Sequence, residues 1–592
     1  MSRTEMEQLG WDSLDVLFVS GDGYIDHPSF GVALLGRWLV RHGFRVGIVA
    51  QPDWRDPASV TGLGRPRLFA GVTAGALDSL LAHYTAFRKK RHDDAYTPGG
   101  RAGARPNRAS IVYANLIRQA FPGLSVVLGG IEASLRRISH YDFWTDALRR
   151  SLLLDAKADV LVYGMGEHAV LELARRAAAG LPLTHVPGTA WMGRPEDVPA
   201  EAACLPLPAH EDILADKTLL MRATLDMEMQ VHQGTAYAVQ PVGGRAVILA
   251  PPAPPLRTEE MDALYGMPFA RRAHPSYDAP IPADAMMRTS ITSHRGCGGG
   301  CSFCSLALHQ GRRISSRSEE SILHEVAALA ARGPVAISDV GGPTANMWQG
   351  RCASSRPCRR RSCCFPRLCP NFITPQRRHV ALLRRLRDMP GIRQVRVASG
   401  VRCDLAVNDV EAMRAYTLEF TGGQLKVAPE HCSPRVLRLM RKPELPVFEE
   451  FLQFFLRQSR NAGREQYVVP YLMSAFPGCD EDDMRMLADW LRQRHWAPQQ
   501  VQCFIPTPGT VATAMYYAGV DERGDPVHVA RTDAERLRLH AMLMPAMGRK
   551  GGRDDGMDHL RDVPPPRRSA RKESGAARTG RRPAGKQGGG NG

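Results

Sequence analysis

The sequence predicts an α/β fold in four parts. A doubly wound parallel-sheet domain covers residues 1–200, a connector 201–285, a partial (β/α)6 barrel of the TIM type 286–545, and a disordered basic tail 546–592. Three observations predict it. Strand-length apolar runs alternate with helix-period runs through the first ~200 residues, the pattern of βαβ units on a parallel sheet. A second alternation places six strand–helix units in about 250 residues, the pattern of a barrel. Between and after them the composition turns to proline, glycine and basic residues. The 592-residue length also exceeds what one hydrophobic core fills, and the 44% apolar content is ordinary for a globular chain.

The first element is "LDVLFVS" (Leu14–Ser20), a buried strand. After the loop "GDGYIDHPSFG", the stretch "VALLGRWLVRHG" reads as a helix that ends at Gly43, and "FRVGIVA" returns as a strand. Further strands fit "PRLFAGV", "LSVVLGG" and "ADVLVYG", giving five or six in all. The last precedes a helix through "EHAVLELARRAAAG". Residues 201–285 contain "LAPPAPPL" and "HPSYDAPIPA", too broken by proline to read as core. The barrel strands follow as "RTSITS", "VAISDVGG", "VRVASGV", "QLKVAPE", "YVVPYLMS" and "VQCFIP", with helices such as "SEESILHEVAALAARG" and "EDDMRMLADWLRQR" between them. In such a barrel the chemistry sits at the strand C-termini.

No apolar run approaches a membrane span, and "MSRTEMEQLG" lacks the basic region and apolar core of a secretory signal. A cytoplasmic location is the expectation. Thirteen cysteines, an odd number, then point to thiols and metal ligands rather than a disulfide framework. The net charge is +17, and from Pro564 onward eight Lys and Arg face one acidic residue. A basic solvated tail explains much of that surplus. A nucleic-acid or other phosphate-bearing partner is the alternative it leaves open.

Cys297, Cys301 and Cys304 stand in a C-x3-C-x2-C spacing within "SHRGCGGGCSFC", directly after the first barrel strand. Thiolates hold iron–sulfur clusters or zinc. A structural zinc needs a fourth ligand, which His294 or His309 would supply. A [4Fe–4S] cluster on three cysteines leaves one iron open to a small molecule. The glycines suit either metal, because they let backbone N–H groups approach the sulfurs.

The spacing, with the aromatic Phe303 before its last cysteine, resembles the radical S-adenosylmethionine (SAM) superfamily. The flanking text is similar to the YgiQ family of that superfamily. The segments are "FVSGDGYIDHPSFGVALLGRWL", "VGIVAQPDW", "GGIEASLRRISHYDFW", "LVYGMGE", "TSHRGCGGGCSFC", "LHQGRRISSRS", "SDVGGPTANM", "LKVAPEH" and "IPTPGTVATAMY". The resemblance covers residues 14–520 and fades toward the C-terminus. It implies that Cys297, Cys301 and Cys304 bind three irons of a [4Fe–4S] cluster, and that the fourth iron chelates the amino and carboxylate groups of SAM. Reduction would then cleave SAM to methionine and a 5′-deoxyadenosyl radical. It further implies SAM contacts at Gly341 and Gly342, at Ser399, Arg402 and Glu430, and a cluster shielded by Phe303. The acidic residue that usually follows the glycine pair is absent from "GGPTAN", and Arg402 paired with Glu430 at the barrel rim is the plainer account of those two. A reductase or flavodoxin-type protein is implied as electron donor, with no membrane partner. The substrate is not implied.

Two further features carry expectations. Cys352, Cys358, Cys363, Cys364 and Cys369 lie in an Arg-rich stretch after the glycine pair, where nearby cations favour thiolates. Four of them, Cys352, Cys358, Cys364 and Cys369, are expected to ligate an auxiliary iron–sulfur cluster or a zinc, against the reading of a reduced, redox-sensitive loop. Cys204, Cys403, Cys432, Cys479 and Cys503 are expected as small buried apolar residues. The layout of the N-terminal domain resembles the cobalamin-binding-like domain of several radical SAM groups. Asp26 and His27 are adjacent, however, which breaks the D-x-H-x-x-G spacing that ligates cobalt, so His27 is expected to fix a loop and no corrinoid is expected. The functional expectation is a radical SAM enzyme. The alternative is a non-catalytic zinc or iron–sulfur protein that binds RNA.

Overall fold

The computed structural model describes residues 2–544, apart from 357, 499 and 500. The tail expected over 546–592 lies outside the described residues. The first strand of the N-terminal part is β1 (Val16–Ser20), every residue of which is buried. It is flanked in parallel by β2 (Val46–Ala50) and β3 (Phe69–Thr73). Strands with parallel partners on both sides and helices on both faces read as unbroken apolar runs, which is why "LDVLFVS" carries no polar alternation. The parallel series continues through β4 (Ser125–Gly129) to β5 (Val160–Val162).

The sheet then extends beyond the expected five or six strands. β6 (Thr189–Gly193) joins antiparallel to β5, and residues 201–285 supply three more strands, β7 (Cys204–Pro206), β8 (Tyr237–Val242) and β9 (Arg245–Leu249). The order across the nine strands is β2-β1-β3-β4-β5-β6-β9-β8-β7. The expected connector is thus largely a mixed edge of the sheet, with a 16-residue helix, Thr218–Gln233, packed beside it. The Pro-rich stretch 250–257 has no regular structure.

The barrel strands follow. β10 (Ser290–Thr292) pairs in parallel with β12 (Asp339–Gly341), and β11 (Val335–Ile337) with β13 (Ile392–Val395), so the second barrel strand is broken at Ser338. β14 (Gln424–Glu430), β15 (Tyr467–Ser474) and β16 (Gln502–Cys503) form the rest, all parallel. The third strand ends at Val395, short of the "VRVASGV" expected. The helices follow their caps. Ser318 caps Glu319–Ala330, and Asp480 caps Glu481–Gln493 with three acidic residues in its first turn, where the helix dipole favours them.

The strand C-termini of both parts line one cavity, described below. Buried ionic contacts join the parts there, with Arg295 of the barrel paired to Glu167 at the start of the helix after β5. No helix among the described residues is long and apolar enough to cross a membrane.

Candidate metal centre

The cysteine loop begins where β10 ends. His294–Arg295 pairs antiparallel with Ser315–Ser316 and closes the base of the loop. The Cys297 amide donates to the Gly311 carbonyl at 3.1 Å, the Gly296 amide to the Gln310 side-chain oxygen at 3.1 Å, and the Cys304 amide to the Cys301 carbonyl at 3.1 Å. Two glycines are required by shape. Gly296 has φ +85° and Gly300 φ +61°, and a Cβ on either would strike a backbone carbonyl, that of Arg313 or of Arg361. The "GCGGGC" composition is therefore a requirement of the fold as well as room for a metal.

All three thiols are free and half-buried. Burial raises Cys304 to about 12, and the neighbouring Cys301 and Cys297 sulfurs push the same way. Burial likewise raises Cys297, against the pull of the Arg402 guanidinium. These mutual effects place the three sulfurs in one patch. A metal that binds them must displace protons that burial holds in place.

Arg402 is the principal cation. Its Nη1 lies 3.9 Å from Cys301 Sγ, and a Cβ on Gly299 would come within 2.6 Å of that same nitrogen and 3.3 Å of Cys297 Sγ. Asp404 holds it through Nε at 3.0 Å and Nη2 at 2.5 Å. Burial alone would lower the Arg402 pKa, but Asp404 and the thiols of Cys364 and Cys301 outweigh it and raise it. Lys442 stands 3.7 Å from Glu430. Buried cations beside a thiol patch suit a thiolate-bound metal group, whose net charge they offset.

Among the described residues, no three His, Cys, Asp or Glu side chains converge on a single metal ion. A [4Fe–4S] cluster does not need such convergence, because each iron takes one thiolate. The donor set fits that cluster. His309 is not aimed at the sulfurs: its Nδ1 lies 2.9 Å from Ser134 Oγ of the N-terminal part. His294 Nδ1 is 2.9 Å from Ser293 Oγ, and its ring lies against Gly342, where a Cβ would meet Nε2 at 2.8 Å. Burial and then the nearby His379 lower His294 to about 3, so its imidazole is neutral.

A cavity of about 600 Å³ opens between the two parts. Ser20, Thr73, Gly129 and Gly164 border it from the sheet, and Thr292, Gly341 and Gly342 from the barrel. Asp339 ties the barrel wall together, accepting from the amides of Ala398 at 2.7 Å and Ser399 at 3.0 Å and from the Ser399 hydroxyl. Gly341 is packed against that same hydroxyl, leaving no room for a side chain.

Of the expected SAM contacts, Gly341 and Gly342 border the cavity. Ser399, Arg402, Glu430 and Phe303 are not lining residues, although Ser399 stands behind Gly341. Phe303 packs edge-on against Phe476 with ring centres 6.2 Å apart. The expected Arg402–Glu430 pair is not formed: Arg402 goes to Asp404 and Glu430 to Lys442, because each has a nearer partner. Glu430 has φ +68°, uncommon for a residue with a side chain, at an irregular step in the β14–β15 ladder. His27 is buried and has both ring nitrogens engaged, Nδ1 by the Ser29 amide at 3.1 Å and Nε2 by Arg271 at 3.1 Å. Cys403, Cys432, Cys479 and Cys503 are buried as expected, whereas Cys204 is exposed on the edge strand β7. Sequence reasoning missed Asp339, Asp404 and Lys442. Of these only Asp339 had a local signal, two residues before the glycine pair.

The stretch Cys352–Cys369 packs onto the first cysteine loop. The Cys363 amide donates to the Gly298 carbonyl at 2.8 Å, the Ser362 hydroxyl donates to the Gly299 carbonyl, and Phe372 covers Gly298.

Comparison with known proteins adds the family. A family profile described as "Radical SAM N-terminal" matches residues 1–290, and one described as a domain of unknown function (DUF3362) matches residues 499–591. The chain is 50% identical over 557 residues to a UPF0313 protein of Geobacter sulfurreducens, covering 92% of this chain and 91% of that protein. It is 42% identical over 616 residues to the UPF0313 protein YgiQ of Escherichia coli, with 92% and 83% covered. Among solved structures, the radical SAM methyltransferase TsrM from Kitasatospora setae, with tryptophan substrate and a SAM analogue bound, aligns at TM-score 0.51 and 15% identity over 90% of this chain and 89% of that one. TsrM with cobalamin and a [4Fe–4S] cluster bound aligns at TM-score 0.50 and 16% identity, over 89% and 85%.

Proposed function

The chain belongs to the UPF0313 family of radical SAM proteins, and from that premise we propose that Cys297, Cys301 and Cys304 hold a [4Fe–4S] cluster at which SAM is reductively cleaved. The observation that carries this reading is the placement of three mutually close thiols in one glycine-shaped loop after the end of the first barrel strand. Held by Cys297, Cys301 and Cys304, such a cluster would supply the electron for reductive cleavage of SAM. The chain's residues do the rest. Arg402 and Lys442 offset the charge of the thiolates. Asp339 and Ser399 fix the strand ends that carry Gly341 and Gly342. The wall of the cavity is apolar at Phe18, Phe30, Leu34, Leu35 and Val72, so it accommodates the body of an organic substrate and limits water around a reactive radical. With both nitrogens of His27 engaged, no corrinoid ligation through that residue is proposed. The electron is proposed to come from a reductase or a flavodoxin-type protein.

The test is electron paramagnetic resonance on anaerobic, dithionite-reduced protein. The reading expects a [4Fe–4S] signal whose shape changes when SAM is added, because SAM binds the iron without a protein ligand. It also expects that SAM-sensitive signal to be lost in Cys297→Ala. A signal indifferent to SAM would overturn it. Salt-sensitive RNA affinity alongside that indifference would favour the non-catalytic RNA-binding alternative.

A further inference from the structure

From Arg351 to Ile373 the chain carries six arginines and no acidic residue. Antiparallel pairing of Arg351–Cys352 with Phe372–Ile373 closes the base of this stretch. The Cys369 amide donates to the Cys363 carbonyl at 2.7 Å, and Arg360 donates to the carbonyls of Ser362 at 3.1 Å, Phe365 at 3.2 Å and Arg367 at 2.7 Å, so the segment folds back on itself. Its cysteines are free thiols, with Cys352 exposed, Cys364 and Cys369 buried, and Cys358 and Cys363 half-buried. The arginines divide by what they hold. Arg360 is engaged in the turn, and Arg361 pairs with Glu522. Arg351, Arg356, Arg359 and Arg367 are exposed, and none has a carboxylate partner among the described residues. Two large apolar side chains share this surface. Leu368, beside Arg367, is 36% exposed, and Ile373, directly opposite Arg351 in the pairing, is 37% exposed. Arginines around isolated apolar side chains fit a protein-docking surface, where arginine is enriched.

The inner side of the stretch is bonded to the Cys297–Cys304 loop. The Cys363 amide and the Ser362 hydroxyl donate to the carbonyls of Gly298 and Gly299, the two residues after Cys297. The Arg361 carbonyl fills the space that a side chain on Gly300 would need. No described residue from 351 to 373 borders the cavity of about 600 Å³. A partner seated on these arginines is therefore joined to the thiol loop by a short hydrogen-bonded path, and it leaves the cavity free.

We propose that the face carrying Arg351, Arg356, Arg359 and Arg367 docks an acidic, flavin-containing electron-carrier protein, whose electron reaches the cysteine loop through the Ser362–Cys363 backbone. The proposal rests on the radical SAM reading, which requires one electron from outside the chain, and it names where that electron enters. The step is a transfer of one electron. The reduced flavin of the carrier is oxidised by one electron, the cluster held by Cys297, Cys301 and Cys304 is reduced by one, and no bond forms or breaks. Unpaired cations facing an acidic partner speed encounter and fix its orientation, an effect that salt screens. A nucleic acid would also meet these charges favourably. As a substrate, however, it would have to reach the cavity, which the arginine face does not border.

The test titrates the full chain with a purified bacterial flavodoxin by calorimetry, without SAM or dithionite, at low and at moderate salt. Binding is expected, and it should weaken as salt rises. Arg359→Glu/Arg367→Glu should weaken it about tenfold or more. Arg41→Glu/Arg175→Glu makes the same charge change on exposed last-turn residues of two helices in the N-terminal part, and should bind as the parent does. Hydrogen–deuterium exchange on the parent should show flavodoxin protecting residues 351–373, which decides the matter if the arginine variant does not fold. Absence of binding, protection elsewhere, or equal loss in both double variants overturns the proposal. So does an RNA oligonucleotide that protects 351–373 where flavodoxin does not. Flavodoxin docked on 351–373 with no 5′-deoxyadenosine formed from SAM would instead overturn the SAM-cleavage reading and leave the docking surface standing.

Discussion

At the scale of single residues, the structure holds several imidazoles uncharged. His27, His140 and His294 are lowered to about 3, and His309, His379 and His431 to about 4, with burial the leading cause in each. An unfolded histidine titrates near 6.5. Between about pH 6.5 and 4 the unfolded chain therefore binds protons that the folded chain refuses, and stability falls as pH drops through that window. Asp22 works the other way. Burial raises it to about 6, so the folded form takes up its proton first and gains stability as pH falls from about 6 to 4. Burial also raises Asp339 and Glu430, in the same sense as Asp22. Burial also lowers His232 to about 4 and raises Asp226, so seven imidazoles stand against four carboxyls and leave a net loss, each imidazole worth up to about 1.4 kcal/mol per pH unit. The urea midpoint at pH 5.5 should be clearly below that at pH 7.5; an equal or higher midpoint would contradict this. The grouping of Cys297, Cys301 and Cys304 was legible from sequence because its signal is a local spacing. The Lys442 contact with Glu430 was not, because its twelve-residue separation leaves no periodic trace.

At the scale of elements, the two cysteine loops depend on each other. Gly300 has φ +61°, and its missing Cβ leaves the room that the Arg361 carbonyl occupies. Gly300→Ala should cost about 1–2 kcal/mol in backbone conformation alone, with the displaced contact in addition, and should lower the iron content. Gly123, with φ +77° and nothing within 4 Å of a Cβ, is the control. Gly123→Ala should cost the backbone term and keep the iron. Equal iron loss in both would contradict the dependence. Helices with a capping residue and an amphipathic period were readable to within a few residues, as Glu481–Gln493 shows. The β8–β9 hairpin was missed although Gly243-Gly244, both at positive φ, is a hairpin turn signal. The prolines on either side of it made the whole region read as connector. The second barrel strand was legible as one run, but its break at Ser338 follows from pairing with two different neighbours, β10 and β13.

At the scale of the whole molecule, two α/β parts set the C-terminal ends of their strands around one cavity of about 600 Å³. That both parts are α/β was legible from alternation. That they meet edge to edge was not, because it rests on contacts such as Arg295–Glu167 and His309–Ser134, between residues more than 100 positions apart. Residues beside the cysteines, Arg295, Leu306, His309 and Gln310, border that cavity, which is the space the proposed radical chemistry requires. The most direct test is product analysis after anaerobic incubation of reconstituted protein with dithionite and SAM. The account predicts 5′-deoxyadenosine and methionine from the parent chain and neither from Cys297→Ala. Equal 5′-deoxyadenosine from both would contradict it.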